Sequence, residues 1–224
     1  AVTSTSMDAS IRTRLSRDDR MEQTLAAAHL LFAERGYAAV TMDEIAAAVG
    51  VTKPLLYNYF GNKERLYIAC MEQAGDSMIQ AIADAIGKTD SPGDALGAGV
   101  HAFFSFLDTN RSAWAVLFDE TLPQAGEVFE RVAAYRGQIL DLVSASLLAQ
   151  LPMRRREAAK VEVEALSTAL LGASEALARW WLRTEAISAE EAAELLISTV
   201  EPGLRERSAP TPTSQSPQGG PTPR

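Results

Sequence analysis

The sequence predicts an all-α fold of about nine helices. Three observations lead there. Apolar residues recur at intervals of three and four through the long segments, the spacing that lines one face of a helix. Capping residues (Thr41, Thr52, Asn62, Ser188) precede several of these segments, and glycine or proline ends them. Nowhere do apolar and polar residues alternate with the period of two that a half-buried strand needs.

Ala1 to Arg17 is polar and rich in Ser, Thr and Arg. Arg12, Arg14 and Arg17 suit an arm laid along a DNA groove or its phosphates, and equally an unstructured extension with incidental arginines. Asp18 to Arg35 is the first helix. Met21, Leu25, Ala28 and Phe32 form its stripe, Gly36 ends it, and His29 reads as a packing or surface residue.

The stretch TMDEIAAAVGVTKPLLYNYF (Thr41 to Phe60) reads as two short helices about a tight turn. Thr41 and Glu44 fit a reciprocal N-terminal cap. Met42, Ile45, Ala46 and Val49 make one apolar face, and Gly50 stops the helix in the left-handed conformation. Thr52 is placed to cap the second helix, with Pro54 in its first turn, where a missing amide is harmless. Leu56 and Phe60 point one way; Lys53, Leu55, Tyr57, Asn58 and Tyr59 face elsewhere. A solvated face normally carries Glu, Lys and Gln, yet no acid occurs from Val51 to Gly61. Asn can pair with an adenine edge, and Tyr and Lys can reach phosphates. Two helices joined this way form the helix-turn-helix unit, whose second helix enters the major groove. The spacing also fits a plain helical hairpin with its aromatics packed inward.

Gly61 ends the second helix and Asn62 caps the next. Lys63 sits in that helix's first turn, where the dipole disfavours cations, and so suggests an outside phosphate or a tolerated surface charge. Thr41 has the same double reading, as a cap and as a phosphate contact. From Lys63 to about Gly87, Tyr67, Met71, Ala74, Met78, Ile82 and Ile86 share one face. Ser91 to Asp94 is a turn. Asp94 to Asp108 is helical, Arg111 to Asp119 is a shorter helix broken by Pro123, and Gly126 to Leu151 is long and bounded by Pro152. Arg154 to Thr184 is the longest helix, roughly 45 Å, and carries the small residues Ala165, Ala169, Gly172, Ala173 and Ala176. Ser188 caps the last helix, Ala193, Leu196, Ile197 and Val200 line it, and Pro202-Gly203 end it. Beyond about Arg205 the chain holds five of its ten prolines and nothing apolar larger than Ala or Pro, the composition of a disordered tail.

At 47% apolar the chain can bury a sizeable core, and no apolar run approaches the ~18 residues that cross a bilayer. The polar N-terminus lacks a secretory signal, and the single cysteine, Cys70, excludes an internal disulfide. Both fit a cytoplasmic protein. The net charge of −8 lies wholly after residue 66, because residues 1–66 carry eight bases and eight acids. A neutral reading head on an acidic body still permits local phosphate contacts. No metal spacing, Walker-type loop or nucleophile elbow occurs, and two histidines with one cysteine leave little for catalysis. No cofactor and no catalytic residue is expected.

The run FAERGYAAVTMDEIAAAVGVTKPLLYNYFGNKERLY (Phe32 to Tyr67) resembles the DNA-binding domain of the TetR (tetracycline repressor) family of bacterial regulators. Phe32, Gly36, Tyr37, Thr41, Ile45, Ala46, Gly50, Val51, Lys53, Leu56, Tyr57, Tyr59, Phe60, Lys63, Glu64, Leu66 and Tyr67 fall at matching positions. Pro54 stands where Gly is frequent and Leu55 where Thr often contacts DNA, which bears on which operator is read. The resemblance implies an arm (1–17), a helix-turn-helix head (18–62), a ligand-binding and dimerisation body (63–204) and a tail (205–224). It implies Thr41, Thr52, Lys53, Pro54, Leu55, Tyr57, Asn58, Tyr59 and Lys63 as DNA contacts. It implies a homodimer through the last two long helices, about 155–184 and 188–204, acting on a near-palindromic operator as a ligand-responsive repressor, or as an activator or ligand-independent regulator of the same fold. Groove geometry independently requires paired heads about 34–36 Å apart. A pocket in the body for a small apolar or aromatic ligand is expected, with His101, Phe104, Trp114, Phe118, Tyr135 and Trp181 as candidates; aromatics at helical spacing serve equally as core.

Overall fold

The computed structural model describes residues 16–208. Arg12, Arg14 and the Pro-rich stretch beyond Ser208 lie outside the described residues. Within them run nine helices: α1 (Arg17–Ala39), α2 (Met42–Val49), α3 (Lys53–Phe60), α4 (Lys63–Gly87), α5 (Ala95–Thr109), α6 (Arg111–Leu117), α7 (Glu127–Ala149), α8 (Met153–Thr184) and α9 (Ala189–Ser208). No strand occurs among the described residues, and no helix there is long and apolar enough to cross a membrane. The chain forms two compact units. One comprises the described residues to Gln80 with Leu107–Gly137; the other comprises Ala81–Phe106 and the described residues from Gln138 onward.

In the first unit, α1 begins at a capping box. The Ser16 hydroxyl accepts from the Asp19 amide, and the Ser16 amide donates to the Asp19 carboxylate, both at 3.1 Å. Gly36 breaks α1 without ending it. Its φ of 76° and ψ of 161° interrupt the helical path, which resumes to Ala39. The break frees two amides. Tyr37 N–H donates to Asp119 Oδ2 at 2.5 Å, and Ala38 N–H donates to Thr121 Oγ1 at 3.3 Å. These outside acceptors explain why the chain continues past a residue that alone signals a stop. The core here is Phe32, Val40, Ile45, Leu56, Leu66, Tyr67 and Met71, all buried. Phe32 and Tyr67 meet edge to face at 4.9 Å, and Tyr37 meets Tyr67 at 5.0 Å. Tyr67 donates its hydroxyl to the Val116 carbonyl, while His29 Nε2 lies 3.0 Å from Ser112 Oγ, so α6 is pinned onto the head helices. Tyr135 of α7 lies over Gly75, where a Cβ would come within 2.7 Å of its ring; only glycine fits.

In the second unit, Phe104 of α5 meets Trp181 of α8 at 5.8 Å, and the Trp181 indole N–H donates to the Ile187 carbonyl at 2.9 Å, closing the α8–α9 turn. Ser144 and Ser167 join α7 to α8 at 2.9 Å, next to a cluster built on Leu147 and Val163. Arg156 donates to the carbonyls of Leu151 and Ala149, satisfying the C-terminus of α7. Ser188 caps α9 as expected, its hydroxyl accepting from the Glu191 amide, and the Glu191 carboxylate completes a box by accepting from the Ser188 amide. The predicted stop at Pro202-Gly203 is corrected: α9 runs through Pro202 to Ser208. Proline keeps a helical φ and removes one bond, to residue 198. Ser198 is exposed, so its carbonyl can turn to water instead.

Candidate nucleic-acid interface

Thr41 and Glu44 fix the first helix of the pair. The Thr41 hydroxyl accepts from the Glu44 amide at 3.3 Å, and the Thr41 amide donates to Glu44 Oε2 at 2.8 Å. Arg35 adds an ion pair to Oε1 at 2.8 Å. The Arg35 pair and the Thr41 hydrogen bonds hold the Glu44 carboxyl down to about 2. Gly50 then takes φ 70°, ψ 33°, the left-handed cap expected of it. Thr52 occupies the N-cap position of α3 but makes no side-chain cap hydrogen bond, which corrects the predicted cap. Pro54 in the first turn removes one orphan amide from that end, so α3 depends less on a cap.

Leu56 and Phe60 are buried and seat α3 on the core. Thr52, Lys53, Pro54 and Asn58 are exposed, and Tyr57 is 40% exposed; Leu55 and Tyr59 are half-buried. The inward-packed hairpin is therefore excluded for Tyr57 and Asn58. Two outward side chains have partners of their own. Lys53 Nζ lies 2.9 Å from Asp43 Oδ2 across the turn. Arg17 lies over the Tyr59 ring, 5.7 Å from its centre. Asp43 and Arg17 were not legible as partners, because contacts across a turn leave no periodic signal. Asn62 caps α4 through its side-chain oxygen, which accepts from the Arg65 amide at 2.8 Å. Lys63 Nζ sits 4.3 Å from the centre of the Tyr37 ring, and partial burial lowers its pKa. Tyr37 thus supplies some of the compensation for a cation at a helix start.

The body residues fall in both units. Trp114 and Phe118 stack at 4.0 Å in the first unit, half-buried. Tyr135, in the same unit, is buried and donates to Asp76 Oδ1 at 2.7 Å; burial, then that bond, raises its pKa. In the second unit Phe104 and Trp181 are sealed core. His101 there is half-exposed and 2.8 Å from Glu194 of α9. Cys70 is a buried thiol pushed up to about 12 by burial, so it behaves as a small hydrophobe. Among the described residues no group of three His, Cys, Asp or Glu is placed to hold a metal.

Two family models match the chain: "Bacterial regulatory proteins, tetR family" over residues 25–70 and "Tetracyclin repressor-like, C-terminal domain" over 92–201. A TetR-like transcriptional regulator from Rhodococcus sp. RHA1 superposes with a TM-score of 0.71 at 32% identity, over 86% of this chain and 99% of that one. The chain belongs to the TetR family. Among curated relatives, the HTH-type transcriptional activator FasR of Mycolicibacterium smegmatis is 37% identical over 135 residues, 58% of this chain and 62% of that protein. EthR of Mycobacterium tuberculosis, an HTH-type transcriptional regulator, is 28% identical over 102 residues, 44% of this chain and 47% of EthR. The matched stretch thus spans about three fifths of FasR and about half of EthR. These relatives are named as regulators rather than enzymes.

Proposed function

We propose that this TetR-family chain is a sequence-specific DNA-binding transcriptional regulator, not an enzyme, acting as a homodimer on a near-palindromic operator. One observation carries the reading. The outward side of α3 holds Tyr57 and Asn58 exposed and acid-free, while Leu56 and Phe60 anchor it from below. Asn58 and Tyr57 read base edges; Thr41, Thr52, Lys53, Tyr59 and Lys63 meet phosphates; Pro54 and Leu55 shape the groove fit. Residues 18–62 serve as the reading head and 63–204 as the ligand-binding and dimerisation body. The dimer forms through α8 and α9. Supporting this, Val161 is 79% and Leu195 52% exposed, and Ala165, Ala169, Gly172, Ala173 and Ala176 lie exposed along α8, where another helix can approach closely.

The body takes a small apolar or aromatic ligand that favours a DNA-free arrangement, through movement of α4, and so releases the operator. A ligand shifts that equilibrium only by its preference for one arrangement over the other. The test is binding of the full chain to its own upstream DNA across a salt series. Affinity should fall steeply and linearly in log–log form with salt, as phosphate neutralisation requires. Salt-independent or absent binding would overturn the reading. Activation is the second reading, favoured by the identity to a protein named as an activator. Transcription from that promoter with and without the chain separates the two.

A further inference from the structure

Asp119, in the loop after α6, stands outside the candidate interface yet reaches it through one aromatic ring. Its carboxylate works in two directions. Oδ1 accepts from the Thr121 amide at 2.7 Å, which folds the loop. Oδ2 accepts from the Tyr37 amide at 2.5 Å, one of the two amides freed where α1 breaks at Gly36. An ionised acceptor makes the stronger class of hydrogen bond. Thr121 takes the other amide, that of Ala38. Gly36 lets the loop come this close: a Cβ there would stand 3.5 Å from both Asp119 oxygens.

What this fixes is the Tyr37 ring. Tyr67 meets that ring edge to face at 5.0 Å, and Tyr67 is itself held by donating its hydroxyl to the Val116 carbonyl of α6. The loop therefore holds Tyr37 by its backbone, and α6 holds it by its ring. Over the same ring sits the Lys63 ammonium, 4.3 Å from the centre. A ring face orients a cation through its quadrupole and adds no opposing net charge, so the ammonium keeps its charge for an outside anion. Lys53, by contrast, is paired with the Asp43 carboxylate.

We propose that Asp119 is a positioning residue for DNA binding: by holding the Tyr37 backbone it sets the ring over which Lys63 presents its charge to a phosphate. The proposal rests on the reading of Lys63 as a phosphate contact. Asp119, Tyr37, Tyr67 and Lys63 all belong to the first unit, so the route is local.

Fluorescence anisotropy of the full chain on its own upstream DNA, across a salt series, tests it as a double-mutant cycle. Lys63→Ala and Asp119→Ala should each weaken binding by about five- to tenfold and lower the salt slope by about one counterion. Together they should be no worse than Lys63→Ala alone to within about twofold, because Asp119 then supports a contact that is already gone. Asp119→Ala and Lys53→Ala should instead multiply, since Lys53 has its own carboxylate partner. Circular dichroism checks that each variant is folded at the temperature of titration. Asp119→Asn keeps the shape and one acceptor oxygen; it should give the same pattern with smaller losses, and it covers the case of an Asp119→Ala chain that fails to fold. Full additivity with Lys63→Ala, or an unchanged salt slope in the Asp119 variants, would overturn the proposal and leave DNA binding standing; a residue that merely stabilises the fold would behave so. Parent-like binding by Lys63→Ala would also overturn it. A parent chain that binds no DNA overturns the regulator reading and this proposal with it.

Discussion

Asp43 and Glu44 sit side by side at the start of α2 and do opposite things. Glu44 serves the fold. Its folded-state pKa lies at about 2, well below the ordinary carboxyl value of 4.5. A depressed acid contributes stability that is fully present above its unfolded value and is lost as the pH falls toward the folded one. The head should therefore begin to loosen below about pH 4.5 and continue to do so down to about 2. Glu44→Gln should show a shallower acid transition by circular dichroism; an unchanged profile would remove Glu44 from the account. Asp43 instead holds Lys53, the exposed cation of α3, at 2.9 Å. Under the proposed DNA-binding reading, a phosphate that meets Lys53 displaces that carboxylate. Asp43→Asn is expected to raise affinity for non-operator DNA and steepen its salt dependence by about one counterion, while Lys53→Ala flattens it by about one. Tyr57→Ala and Asn58→Ala should each weaken operator binding by about 1–3 kcal/mol. Both residues are exposed, so thermal melting should be unchanged. A loss of folding in either would place that side chain in the core.

Among the elements, α1 is where sequence and structure differ most usefully. Its stripe predicts the buried Ala28 and Phe32, and Gly36 is visible as a break. The path of the chain beyond Gly36 is not visible, because it depends on Asp119 and Thr121, more than eighty residues away in sequence. Periodicity reports which face a helix buries and cannot report which distant loop captures its free amides. The caps of α2, α4 and α9 were legible because each is complete within four residues. The joint between α1 and α6 can be tested at Gly36. A side chain there must adopt φ 76° and would meet Thr121 Oγ1 at 3.1 Å. Gly36→Ala should destabilise the fold by roughly 1–3 kcal/mol, read by urea denaturation; a neutral effect would mean that the break relaxes freely. His29 belongs to the same joint. Burial lowers its pKa, so the stability it lends is present above the ordinary value of 6.5 and fades as the pH falls below it.

At the scale of the whole molecule, the question is what an α8 with so little cover is for. Along this 32-residue helix, Val161, Ala165, Ala169, Gly172, Ala173 and Ala176 are exposed, and Leu195 of α9 joins them. Solvent alone gives no reason to place small and aliphatic residues on one side of a helix while the charge of the chain stands at −8. A second copy does, because small residues bring helix backbones close and bury the intervening aliphatics. Under this reading Ala173→Glu sets a carboxylate into each half of a two-fold interface, where it must lose water without a partner. The variant should fold, since Ala173 is exposed in the single chain. It should sediment as a monomer at concentrations where the parent is a dimer. Operator affinity should then fall by about 100-fold or more, because one head alone forfeits the gain from linking two half-sites. Binding to an isolated half-site should stay as it was, since α3 is untouched. A variant that remains dimeric would move the interface off α8. A monomer that still bound the full operator tightly would break the link between pairing and reading.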